Sequence, residues 1–396
     1  MILNFHMSPE KKTKVFLIIA IAMIALNLRP SISAVGPLIS EIRMDTGLSN
    51  TMLGMLTTLP ILAFGIISVL TPLFTRKFGT EGTLALALVI LTGGILLRVI
   101  PGSFPLFAGT IILGIAIALG NVLLPGIVKK KFSRQSGLVT GIYSGMLGIG
   151  AALSAGVSVP LSQDAGLGWR GSLGIWAILA IAALLVWLPQ LRNNFQVVAK
   201  RSLRESLKQL GSSKLAWHVA IFMGLQSFTF YIIIAWLPEI LQDRGISAVE
   251  AGWLVSLCQG AGVFGTFFIP AWASKLKNQH LPLALLITLE IVSIIGLMVP
   301  NTTLAAFWSA TLGLSMGGSF GLALLFIVLR SRDTESANEL SGVSQSVGYT
   351  FAATGPALFG ATFDIAGNWE IPLGLLLVVS IFKFGSGWHA GRQKYV

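Results

Sequence analysis

Asn27-Leu28-Arg29-Pro30 lies inside an apolar run covering residues 15–39. The run is long enough to cross a bilayer, for which about 20 helical residues suffice. Arg29 then sits near mid-bilayer, where an arginine costs roughly 3 kcal/mol on insertion scales. Of the chain's 27 Lys and Arg residues it is the one placed so deep; the others fall near helix ends and in loops. A charge kept at that depth faces a bundle interior or an aqueous cavity. The stretch therefore predicts a multi-span protein built around a polar, anion-attracting site. In the competing reading, the guanidinium bonds backbone carbonyls and serves helix packing alone.

The rest of the chain agrees with a lipid solvent. Of 396 residues, 54% are hydrophobic and only 11% charged, against about 25% charged in a soluble protein. Twelve apolar runs qualify as spans: 15–39, 50–73, 80–100, 104–128, 136–160, 171–190, 216–238, 248–272, 281–300, 303–329, 338–362 and 371–389. The one long polar connection covers 191–215, with Lys200, Arg201, Arg204 and Glu205, and part of it (203–210) is expected to form an interfacial helix. The expected organisation is a six-helix bundle over 1–190, a cytoplasmic linker over 191–215 and a second six-helix bundle over 216–396. No secretory leader is evident, because the first apolar run is too long for one.

The net charge of +12 would suit nucleic acid, but its placement argues otherwise. With the N-terminus inside, 22 Lys and Arg fall on the inner side and four (Arg43, Arg98, Arg170 and Arg244) on the outer side. That bias is a positive-inside signal. It predicts cytoplasmic termini and makes the basic balance a topology signal rather than a nucleic-acid footprint. An internal repeat supports two bundles. Pro37, Gly47, Leu48, Ser49 and Gly54 correspond to Pro238, Gly245, Ile246, Ser247 and Gly252, and Pro72 and Lys77 to Pro270 and Lys275. Gly141 and Trp169 fall beside Gly342 and Trp369 at a similar offset. A parallel duplication of this kind expects a cavity between the halves.

Uncharged polar residues recur at mid-span: Asn121, Gln226, Tyr231, Gln259, Gln345 and Tyr349, the last two four apart and so on one helix face. With Asn27 and Arg29 they are the candidate cavity lining, although each alone could be an ordinary interhelical hydrogen bond. A guanidinium offers a fork of donors suited to a carboxylate, a small linear anion or a nitro group. Glu290 is the one acid at the middle of a span, and with Lys383 it forms either a coupling or a structural pair. Glycines at 141, 145, 148, 150 and 156, and at 313, 317 and 321, suit close helix packing. Pro30, Pro125 and Pro356 should kink or open their spans. Enzyme signatures are missing: the four histidines are scattered, Cys258 is alone, and no phosphate loop or metal-ligand spacing occurs. No cofactor is expected.

Several blocks carry a family likeness. Asn27-Leu28-Arg29-Pro30 followed by Val35-Gly36-Pro37-Leu38 resembles the first span of the cyanate and nitroimidazole transporter branch of the major facilitator superfamily. So do Gly120-Asn121-Val122-Leu123-Leu124-Pro125 and Gly224-Leu225-Gln226-Ser227 with Tyr231 and Trp236-Leu237-Pro238. A fourth block is Leu340-Ser341-Gly342 with Gln345-Ser346-Val347-Gly348-Tyr349 and Gly355-Pro356. The blocks span both halves. The resemblance implies an all-α fold of twelve transmembrane helices in two six-helix pseudo-repeat bundles. The implied activity is secondary transport, by alternating access, of a small polar or anionic organic solute, import or export, by a monomer that also takes a proton if coupled.

One departure concerns the loop between spans two and three. The superfamily usually reads Gly-x-x-x-Asp-Arg-x-Gly-Arg-Arg there. In this chain Pro72 replaces the first Gly and Arg76 the acid, followed by Lys77, Gly79 and Glu81. Glu81 or the neighbouring basic loop is expected to take over the gating charge. Two rival functions are a proton-coupled multidrug exporter with a weakly polar pocket and a non-transporting membrane receptor.

Overall fold

The computed structural model describes residues 9–48, 50–193, 203–299 and 302–396. His6, Ser49, Lys200 and Arg201 lie outside it. The described residues form helices joined by turns and short loops, and every predicted span is helical. The first is broken into α1 (Pro9–Asn27), α2 (Pro30–Ser33) and, after a tight turn over Gly36–Leu38, α3 (Ile39–Thr46). Spans two and three share α4 (Asn50–Val99), folded back at Gly79, whose φ of 69° and ψ of 171° admit glycine far more readily than other residues. Span four is α5 (Ser103–Lys131), span five α6 (Ser136–Ser162), and span six α7 (Gly168–Gly174) with α8 (Trp176–Trp187). The linker contributes α9 (Leu203–Ser212). In the second half follow α10 (Lys214–Asp243), α11 (Ala248–Ala273), α12 (His280–Met298), α13 (Ala305–Arg330), α14 (Thr334–Ala352), α15 (Gly355–Ala366) and α16 (Glu370–Ala390).

The prolines act unequally. Pro30 and Pro356 open α2 and α15 at their first turns, where the missing N–H costs nothing. Span eleven therefore comes in two pieces. Pro125, expected to kink or open its span, sits within α5 without interrupting it. A proline removes one hydrogen bond, and neighbouring turns and helices can absorb that loss.

The two halves touch on one side of the molecule and part on the other. On the side bearing the linker, Ser144 Oγ donates to the Thr266 carbonyl at 2.9 Å, Gln345 Nε2 to the Asn121 carbonyl at 3.1 Å, and Ser346 Oγ to the Gly65 carbonyl. A Cβ at Gly141 would stand 2.3 Å from the Phe267 carbonyl oxygen, and one at Gly342 2.5 Å from that of Ser68. Toward the far side, Gly54, Gly156, Gly252 and Gly260 face open space. The apolar cores follow the same division. One joins both halves through residues such as Ile24, Leu124, Tyr143, Phe222, Phe326 and Tyr349. The other, from Leu225 to Val379, belongs to the far part of the second half alone. The crevice between the halves is thus shut on the linker side and open opposite.

This closure rests in part on bare glycine contacts, so Gly141→Ala should weaken it. A cysteine placed at Thr75, which is buried on the closed side, should then label with maleimide several-fold faster. Unchanged labelling would mean that the Gly141–Phe267 approach does not hold the closed side.

Candidate functional site

The break in span one sets the site. Pro30 has no N–H to give to the Leu26 carbonyl. The gap is filled by α6, whose Gly150 approaches so closely that a Cβ would lie 2.4 Å from that oxygen. Asn27 donates through Nδ2 to the carbonyls of Met23 at 2.8 Å and Leu179 at 3.2 Å. Past the break, the Ser31 carbonyl accepts from Arg98 Nη1 at 2.7 Å. The buried Arg98, predicted only as an outer-side charge, is thus a clamp on the broken helix. The far end of the segment is also tied: Glu41 accepts from Ser162 and Gln163, and Asp45 from Trp169 and Arg170. The Arg170 hydrogen bond holds the Asp45 carboxyl below the usual carboxylate range.

With its flanks fixed, Arg29 projects into the protein interior. It is enclosed by protein yet keeps part of its surface open, which describes a residue lining an internal crevice. Its guanidinium lies within hydrogen-bonding reach of the phenols of Tyr231 on α10 and Tyr349 on α14. Its Cζ stands 5.8 Å from the centre of the Phe320 ring on α13. Phe64 of α4 meets Tyr349 edge-on at 5.4 Å, and Phe230 meets Tyr231 likewise at 5.4 Å. The charge is thus set among aromatic rings contributed by both halves.

The remaining candidates divide. Gln345 bonds the Asn121 carbonyl and Ser341 Oγ, so it stitches α14 to α5, one turn from Tyr349. Asn121 is buried beside it, and its Nδ2 has no protein partner. Asn27 spends its amide on two carbonyls. Gln226 bonds within its own helix, to Met223 and Ser227. Gln259 is exposed. These last three are not drawn into the group around Arg29 by any contact described.

Glu290 and Lys383 do meet. Both are wholly buried, Lys383 Nζ bonds Glu290 Oε2, and Ser380 and Ser315 donate to the same carboxylate at 2.7 and 3.3 Å. The pair joins α12, α13 and α16, and none of its partners belongs to the Arg29 group.

At the shut side, Glu81 pairs with Lys130 at 2.6 Å and accepts the Trp187 indole N–H through its backbone carbonyl. Lys77 lies over the Phe78 ring. Arg76 shares a cleft with Glu335, Asn338 and Glu339 at the start of α14. The negative position of the usual loop has become positive, and the facing helix start is acidic. Those acids also suit the positive end of the α14 dipole. Arg76→Glu should therefore loosen the closed side, with Glu335→Arg restoring it in the double variant; equal labelling of Thr75→Cys in all three backgrounds would refute this.

Sequence reasoning missed Phe64 and Phe320, because they are unremarkable apolar residues in apolar runs.

Comparison with known proteins agrees with this architecture. A model described as the Major Facilitator Superfamily matches residues 15–360. The chain is 42% identical to the transporter YycB of Bacillus subtilis over 99% of its own length and 97% of the relative's. It is 38% identical to the 2-nitroimidazole transporter of Escherichia coli over 98% of both chains. To the cyanate transport protein CynX of Escherichia coli it is 27% identical, covering 89% of this chain and 91% of that one. Among solved structures, it superimposes on FucP in its outward conformation with a TM-score of 0.75 at 13% identity, over 94% of this chain and 98% of that one. The proton:xylose symporter XylE gives the same TM-score and identity, over 94% of each chain. The chain therefore belongs to the major facilitator superfamily of membrane transporters.

Proposed function

We propose that this transporter moves a small anionic or nitro-bearing organic solute across the bacterial inner membrane by alternating access, with Arg29 as the solute's main contact. The observation that carries this reading is the partly open guanidinium at mid-span, held among the phenols of Tyr231 and Tyr349 and the ring of Phe320. A planar conjugated anion or nitro-heterocycle suits both the fork of N–H donors and the surrounding ring faces. The relatives named for 2-nitroimidazole and cyanate support the class. The positive-inside count puts the linker and termini in the cytoplasm, so the shut side faces inward and the crevice opens outward. The protein works as a monomer.

A multidrug exporter selecting lipophilic cations fits less well, because a buried guanidinium repels them. Glu290, the obvious proton carrier, is committed to Lys383, and we assign the pair to structure. The deciding experiment is uptake into, and release from, proteoliposomes with 2-nitroimidazole and cyanate. Transport of a lipophilic cation in place of either would overturn the assignment.

A further inference from the structure

We propose that Tyr143 is a solute-contacting, specificity-determining residue in the floor of the Arg29 crevice, its hydroxyl donating to the solute's anionic or nitro oxygens. The proposal rests on the reading of the site just given and deepens it.

Position comes first. Gly150 of α6 faces the break in span one, against Leu26 and Pro30. Tyr143 stands seven residues earlier, two turns along the same helix face and about 10 Å nearer the shut side. It is 1% exposed and belongs to the apolar core that joins the two halves. Its phenol is within electrostatic range of Tyr349, which reaches Arg29. Tyr143 on span five is thus linked through Tyr349 on span eleven to the arginine that Tyr231 on span seven also reaches.

The hydroxyl gains little from the fold. Among the described residues, the one polar group within reach of Tyr143 Oη is the hydroxyl of Thr140, one turn back, and neither hydroxyl makes a well-formed hydrogen bond. An enclosed, unmet hydroxyl destabilises a fold, whereas phenylalanine would fill the same space without that cost. The chain uses phenylalanine freely, 23 times. A buried polar group that folding disfavours is accounted for by a partner that arrives later.

The polarity of the site says what that partner offers. A phenol oxygen that accepts from Arg29 directs its own O–H elsewhere, so Tyr231 and Tyr349 become donors to whatever enters. Tyr143 Oη, near Tyr349, and Asn121 Nδ2, which has no protein partner and lies beside Gln345, offer further donors. Guanidinium, amide and phenols together present donors and no carboxylate. Such a site accepts a group that has lone pairs and no protons, and rejects ammonium.

The test compares purified wild type, Tyr143→Phe and Arg29→Ala by thermal shift titrated with 2-nitroimidazole and with cyanate. Tyr143→Phe should melt at or above the wild-type temperature without solute, and bind the better probe about tenfold more weakly. A wild type that responds in an Arg29-dependent way while Tyr143→Phe titrates identically overturns this inference alone. A Tyr143→Phe protein that melts lower without solute also overturns it, since the hydroxyl would then serve the fold. Absence of any response in the wild type, or an undiminished one in Arg29→Ala, overturns the site reading and this inference with it.

Discussion

Arg29→Ala protein should insert, fold and purify like the wild type, yet show no solute-dependent rise in melting temperature and no solute flux in proteoliposomes. The fold has little to lose. Span one is held at its break by Asn27, Gly150 and Arg98 rather than by the guanidinium, and removing a mid-membrane arginine relieves roughly 3 kcal/mol of insertion cost. Binding has much to lose. Hydrogen bonds to a charged group contribute about 1.5–3 kcal/mol each, so losing a two-pronged contact weakens affinity on the order of 100-fold or more. Arg29→Lys should fall between, keeping the charge without the fork. An alanine variant that still transports would show that Arg29 is a packing residue after all.

Lys383→Met should be the most destabilising single change outside the glycine contacts. Glu290 is wholly buried, and without Lys383 its carboxylate keeps only the hydroxyls of Ser380 and Ser315. Breaking one side of a buried ion pair costs about 3–5 kcal/mol, whereas replacing both by apolar residues of similar volume is often neutral. The double variant Glu290→Leu with Lys383→Met should therefore regain most of the lost melting temperature and transport with the wild-type pH dependence. A double variant that folds but loses its response to pH would make the pair a proton carrier. Glu290→Gln, with its altered charge balance, tests the same point more gently.

Much of the fold was legible because lipid imposes a simple rule: each crossing needs a long apolar helix, and charges gather at the ends. What the rule leaves out is where a helix bends. The fold-back at Gly79 reads as a loop from composition, since nothing in Arg76, Lys77 and Phe78 reveals that they continue a helix. The division of span eleven was signalled by Pro356, but an equally placed signal at Pro125 leaves α5 whole. Neighbouring packing decides which proline interrupts.

The site was legible in proportion to its cost. Arg29 stood out because a charge at that depth demands a reason, and Tyr231 and Tyr349 followed as polar groups at similar depth. Asn27 stood out equally, yet its amide answers the local demand of a broken helix for hydrogen-bond donors. Distance along a span does not separate those two roles. The aromatic wall of Phe64 and Phe320 carried no signal, because phenylalanine is as common facing lipid as facing a solute. The substitution of Arg76 for an acid was visible at once. Its compensation by Glu335 and Glu339, more than 250 residues later, was visible only once the helices were assembled.

The division between the two apolar cores bears on the energetics of switching. The far core of the second half is self-contained and can travel intact, so opening the shut side must take apart only the core that both halves share. Wetting that surface raises heat capacity in proportion to the apolar area uncovered. The equilibrium between the two arrangements should then bend with temperature instead of following a straight van't Hoff line, and calorimetry of solute binding above and below room temperature would register the curvature.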